Sequence, residues 1–217
     1  MPGAPDELIF SDSPEHGAAQ ITWGALRANH DAQFRLLCLS KRIKGFLLDQ
    51  TSRLLNEGTN APFPLVVTTT VGIGSLAEVF YSDTVPARQD ERNRIIFCCF
   101  ADKIAEEFSR SLKKDFKVQF AERWGERPRT GSQILYTFFR NSLVHGYYGQ
   151  AVFLTGDETD SIEYRADGCV LLNPEWFFTR FAAAANTHLD RALEEQENGC
   201  LRRNALGYVA GLLGEIV

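Results

Sequence analysis

The stretch PLVVTTTVGIGSLAEVFYSD, Pro64 to Asp83, decides how the rest of this sequence is read. Val66 to Val71 has the β-branched composition of a strand, whereas Val66, Thr69, Ile73, Leu76 and Phe80 recur at helical steps of three and four. Read as a strand, it would make Gly72 to Ala77 the G-x-G-x-x-A turn of a dinucleotide fold, whose glycines admit a pyrophosphate. Such a fold needs strands alternating with helices, and no second βα unit is legible downstream. The stretch therefore reads as a buried helix, with glycines that let a neighbouring helix pack closely.

Working outward, Leu36, Leu39, Ile43, Phe46, Leu47 and Leu54 predict a long amphipathic helix from Asp31, with Gly58 as its stop. On the other side, Ile96, Phe97, Phe100, Ile104, Phe108 and Leu112 predict a second long helix over residues 90–120. After the linker RWGERPRTG, Thr130 and Gln133 stand at capping-box spacing and open a short helix through Ile134, Leu135, Phe138 and Leu143, which Gly146 ends. QAVFLTG, SIEYRADG and CVLLNP are short β-prone pieces that predict a small hairpin or three-stranded flap within residues 151–172. Asn173, Pro174 and Glu175 form an N-cap sequence for a helix through Phe178, Phe181, Leu189 and Leu193, and a last helix follows Gly199. The expected fold class is mainly α: an up-and-down helical bundle with a small β insertion, residues 1–15 flexible and 16–217 one domain.

The chain of 217 residues is 44% hydrophobic and 24% charged, enough apolar content for a packed core. No apolar run is expected to approach the roughly 18–20 residues of a membrane span, and the N-terminus lacks the regions of a secretion signal. A cytoplasmic protein without a membrane association is the expectation. The five cysteines, Cys38, Cys98, Cys99, Cys169 and Cys200, show no C-x-x-C and lie mostly in apolar surroundings, so they read as reduced and structural. The four histidines, His16, His30, His145 and His188, have no metal-binding spacing, and neither a metal nor a cofactor is expected.

The net charge of -5 argues against indiscriminate polyanion binding, but it is unevenly spread. From Lys113 to Arg140 the chain is +4, and the remainder carries -9. One basic region on an acidic protein locates a phosphate-binding surface, or else a solvated helix face.

That region leads into FFRNSLVHGYY, Phe138 to Tyr148. Asn141 and His145 are four apart and share a helix face, and Arg140 is long enough to reach the same point. A histidine moves protons near neutral pH, and a guanidinium grips a phosphate and the charge that grows on it. Asn141 can orient either group. Arg123, Arg127 and Arg129 in the preceding linker are candidates to line an RNA groove, and Tyr147 and Tyr148 either stack on bases or pack in the core or a dimer. His188 reads as a surface histidine, or else as a group that supports the site from behind, and the carboxylate pairs Glu106-Glu107 and Glu194-Glu195 read as solvated surface. No G-x-S-x-G and no Walker A lysine competes.

The sequence Arg140-Asn141-Ser142-Leu143-Val144-His145 resembles the R-N-x-x-x-H motif of the HEPN family, the higher eukaryotes and prokaryotes nucleotide-binding domains. The resemblance spans about residues 31–193. It implies a bundle of four or more helices, usually dimeric, with the motif on a late helix, and a metal-independent endoribonuclease with Arg140, Asn141 and His145 as the catalytic set. It also implies the alternatives: a non-catalytic module that binds nucleotide, RNA or a protein, and an antitoxin or nucleotidyltransferase as partner.

Overall fold

The computed structural model describes residues 5–12, 20–56, 62–84, 89–140, 151–156 and 158–215. The stretch on which the reading turned is helix α4, Pro62–Tyr81. It lies at the centre of the bundle, against α3 (Gln50–Asn56), α5 (Gln89–Ile104), and the last two helices, α9 (Pro174–Glu194) and α10 (Cys200–Leu213). Leu65, Val66, Ile73, Leu76, Ala77, Val79 and Phe80 are buried on it.

Its threonines are accommodated within the helix. The hydroxyls of Thr68, Thr69 and Thr70 donate to the carbonyls of Pro64, Leu65 and Val66, at 2.9, 2.8 and 2.7 Å. Each polar group is thereby satisfied within the helix, which removes the cost of burying it. Gly72 meets the close-packing expectation: a Cβ there would lie 2.7 Å from the Phe181 ring of α9. Gly74 does not, since a Cβ there would meet nothing within 4 Å. The expectation that no segment reaches membrane-spanning length is corrected by the same helix. It has 20 residues and a mean hydropathy of 1.5 over its apolar window, and it is packed inside the bundle.

Before α4, the predicted first helix forms in three parts. Asp31 caps α2 (Ala32–Arg42) by accepting from the Phe34 amide, at 2.6 Å. A π-helical stretch, Ile43–Asp49, follows, and α3 completes the run. Gly58, its expected stop, lies outside the described residues.

The predicted second long helix is broken. After α5, Ala105 takes an extended conformation (φ -158°, ψ 150°), and two shorter helices follow, α6 (Glu106–Ser109) and α7 (Lys114–Trp124). The break re-aims the apolar stripe. Phe108 turns onto Trp176 and Phe177 of α9, whereas Phe116 and Phe120 of α7 pack with each other and, through Phe116, onto Tyr164. Helical periodicity continues across residues 104–112, so the sequence alone does not mark the change of direction.

Two small sheets complete the fold. At the N-terminus, β1 (Ile9–Asp12) pairs with β2 (Gln20–Thr22), and α1 (Trp23–Ala28) follows. Residues 9–12 fall in the segment expected to be flexible, yet Phe10 is fully buried against Trp23, with the Arg42 guanidinium 4.9 Å from its ring centre. The expected β insertion is a three-stranded sheet, β3 (Val152–Leu154), β4 (Ile162–Tyr164) and β5 (Val170–Leu172), in the order β3-β5-β4. Strand β5 is buried along its length, so the element is a packed wall rather than a flap. Its β4–β5 turn rests on α7, where the Trp124 indole N–H donates to the Gly168 carbonyl at 3.0 Å.

The last two helices begin as predicted. The Asn173 side chain accepts from the Trp176 amide at 3.0 Å, with Pro174 in the first turn of α9, and α10 follows Gly199. Together these elements form a mainly helical bundle with small β additions.

Candidate functional site

Arg140 is the last residue of a π-helical stretch, Leu135–Arg140, that continues the short α8 (Gly131–Ile134). π-helical turns are rare and recur at functional sites because they displace side chains from helical register. The start of this helix is held by a variant of the predicted capping box. Gln133 accepts from the Arg129 amide at 2.8 Å, and the Thr130 hydroxyl bonds that of Ser132 at 3.0 Å instead of capping an amide. Ser132 is buried beneath.

A chain of ring contacts then places the guanidinium. Phe97 of α5 meets Tyr136 edge to face, with centroids 5.3 Å apart, and Arg140 stacks over the Tyr136 ring at 5.5 Å. A cation over an aromatic face gains roughly 0.5–1 kcal/mol at a partly exposed site. Arg140 is half-buried and lines an open cleft of about 390 Å³ between α4, α5, α10 and its own helix.

The far wall of that cleft is polar. Glu78 of α4 receives both Arg92 terminal nitrogens, at 3.2 and 3.1 Å, and Arg92 also donates to the Ser82 carbonyl. Asn93 lines the same space, and its Oδ1 is buried with no hydrogen-bond partner. Tyr208 of α10 closes the side, and Gly74 leaves the α4 face without a side chain. Neither Glu78 nor Asn93 carries a motif signal. They are found only once α4 and α5 are seen to face each other.

The other sequence-predicted residues are distributed as follows. Arg123 pairs with Asp167, at 3.7 Å to its carboxylate and 3.3 Å to its carbonyl, and stacks on Trp124, which fastens the β4–β5 turn. Arg127 and Arg129 are exposed, and none of the three lines the Arg140 cleft. Asn141, His145, Tyr147 and Tyr148 lie outside the described residues. His188, read as a surface histidine, is buried between α4 and α9. Glu195, read as solvated surface, instead accepts from the amides of Leu201 and Arg202 at the start of α10, at 3.0 and 3.2 Å.

Three of the cysteines are poorly suited to a second chemistry. Burial pushes the Cys98 thiol up to about 11 and raises Cys99 and Cys169 as well, the opposite of what a nucleophilic thiolate requires. Among the described residues, no three of His, Cys, Asp and Glu are grouped to hold a metal ion. Comparison of the chain with protein-family models, with curated proteins and with solved structures found no match.

Proposed function

We propose that the chain is a metal-independent endoribonuclease of HEPN type, working as a homodimer that brings together two copies of Arg140, Asn141 and His145. The observation that carries this reading is Arg140. The first residue of the motif ends a π-helical turn, is braced by Tyr136, and stands on the wall of an open cleft large enough for a nucleotide.

The chemistry follows from the residue types. The RNA's own 2′-OH is the nucleophile; His145 of one chain accepts its proton, and His145 of the other protonates the departing 5′-oxygen. Arg140 stabilises the crowded, negatively charged phosphorane, and Asn141 orients the substrate or the imidazole. One chain supplies one such histidine, which is why the reaction calls for two chains.

The test is incubation of the purified chain with RNA in excess chelator. Expected are 2′,3′-cyclic phosphate ends, resistance of DNA and of RNA that is 2′-deoxy at the cut site, and a bell-shaped pH profile. Arg140→Ala should slow cleavage about a hundredfold or more, as removal of a transition-state charge stabiliser does. His145→Ala should remove it with the helical circular dichroism unchanged. Cleavage by His145→Ala at the wild-type rate, or a stable monomer in sedimentation, overturns the proposal. An intact protein that binds RNA without cutting it leaves a binding module.

A further inference from the structure

We infer that the start of α7 and the chain returning from its far end form a second, sequence-independent contact for the RNA backbone, outside the Arg140 cleft. The choice of RNA as the polyanion rests on the endoribonuclease reading above, while the contact rests on its own geometry.

That geometry is a closed loop. The chain leaves Leu112, runs along α7, turns at Gly125 and comes back, so that the Leu112 amide donates to the Arg129 carbonyl at 3.0 Å and Ser111 bridges Thr130. The Lys117 ammonium donates to the Ser111 hydroxyl at 3.1 Å, which places it at the closure. Two basic segments apart in sequence, Lys113 to Lys117 and Arg127 to Arg129, become neighbours.

These cations are not used up within the fold. Arg110 and Arg123, which flank them, are neutralised by Glu106 and Asp167. Lys113, Lys114, Arg127 and Arg129 are exposed, and among the described residues no ion pair engages them or Lys117. Asp115 and Glu122 leave α7 on the side turned away from Lys117, as 3.6 residues per turn requires, so Glu126 is the carboxylate of this segment left beside the five cations. Like charges held together repel, and a bound polyanion relieves that repulsion.

The contact is to phosphates and not to bases. A base needs a ring to stack on, and the rings of α7 are engaged: Phe116 and Phe120 are buried, and Trp124 donates its indole N–H to Gly168 beneath the Arg123 guanidinium. Lysine and arginine on phosphate position a strand without reading its sequence. Arg129 stands just before α8 and Arg140 at the end of the π-helical stretch that continues it, roughly 15 Å further on at 1.5 Å per residue. An RNA of several nucleotides is needed to engage both.

The experiment measures binding of the full chain to a 2′-O-methylated RNA of mixed sequence, which lacks the attacking hydroxyl, by fluorescence anisotropy across a salt series. Lys113→Gln, Lys114→Gln and Arg129→Gln together should weaken binding about tenfold or more at low salt and make the logarithmic salt dependence shallower by about two, the share of three phosphate contacts on a single strand. The circular dichroism should stay unchanged. Lys41→Gln, Arg53→Gln and Arg203→Gln together remove the same charge from exposed positions on α2, α3 and α10 and should leave binding close to wild type. A 2′-O-methylated dinucleotide, too short to span from the cleft to the closure, should not distinguish the first variant from wild type. Equal weakening by both sets of substitutions, full affinity in the first variant, no RNA binding by the wild type, or binding to phosphatidylserine vesicles in preference to RNA overturns the contact. RNA binding that depends on these cations, in a chain that cuts no RNA, keeps the contact and removes the nuclease. Cleavage with RNA binding unaltered by the first set does the reverse.

Discussion

The hydroxyl of Tyr81 bonds Nε2 of His188 at 2.9 Å, joining the last turn of α4 to α9 in the interior of the bundle. His188 Nδ1 meets the Ala184 carbonyl at 2.8 Å, so Nδ1 carries a proton, and in the neutral imidazole, the form that burial favours, Tyr81 is the donor to Nε2. Burial depresses the His188 pKa, opposed by the Ala184 bond and aided by the positive charges of Arg191 and Lys103. The native state therefore resists a proton that the unfolded chain accepts near pH 6.5, about the ordinary value for histidine. Stability from this group is fully present above about pH 6.5 and is lost as pH falls from there through the folded value. The urea midpoint of the wild type should drop between about pH 7 and 5, and His188→Gln should flatten that limb. Parallel limbs for the two proteins would show that His188 does not carry it. Tyr81→Phe should cost about 1 kcal/mol at neutral pH, the net value of one hydrogen bond.

Two glycines two residues apart should respond with opposite signs. Gly72→Ala forces a methyl into the Phe181 ring and should destabilise by about 1–3 kcal/mol. Gly74→Ala has free space and gains helix propensity, so it should stabilise by about 0.5–1 kcal/mol. Thermal melts of the two variants decide it, and a shift in the same direction would contradict the packing of α4 on α9.

Gly168 is a third case. Its φ is +78°, and a Cβ would lie 2.9 Å from the backbone of Gln119. Gly168→Ala combines left-handed strain with a clash that no rotamer relieves, and should cost about 2 kcal/mol or more. Amide exchange should localise the loss to the β4–β5 turn and its seat on α7. Unchanged protection there would argue against that seat.

Glu195 provides the cap that Gly199 lacks. Glu195→Ala removes the acceptor of two amides at the start of α10 and should cost about 1–2 kcal/mol, while Glu195→Gln, which keeps an acceptor oxygen, should cost less. Equal melting temperatures for all three proteins would rule the cap out.

These elements also show where the sequence was legible. The Asn173 cap read correctly because its hydrogen bond is local, within three residues. The α4 helix was legible because its period outlasts the strand-like run of Val66 to Val71. The break at Ala105 was not, because what redirects Phe108 is α9, some seventy residues away in sequence. His188 was misread because a single histidine carries no sign of Tyr81 waiting on another helix. At the candidate site the contrast is the same. Arg140 belongs to a contiguous motif and can be singled out from the sequence, whereas Glu78 and Asn93 come from two different helices and meet only in the folded chain.

The strand order β3-β5-β4 sets a sequence of events in time. Strands β4 and β5 are close in the chain and antiparallel, so they zip locally, whereas β3 pairs parallel to β5 only after the intervening hairpin is in place. That late ladder includes the Val170 amide donating to the Ala151 carbonyl, which fixes the far end of the stretch that begins after Arg140 and carries Asn141 and His145. Refolding should thus restore the helical signal first and the β3–β5 ladder last, so a nascent chain acquires its helices before the sheet that seats Ala151.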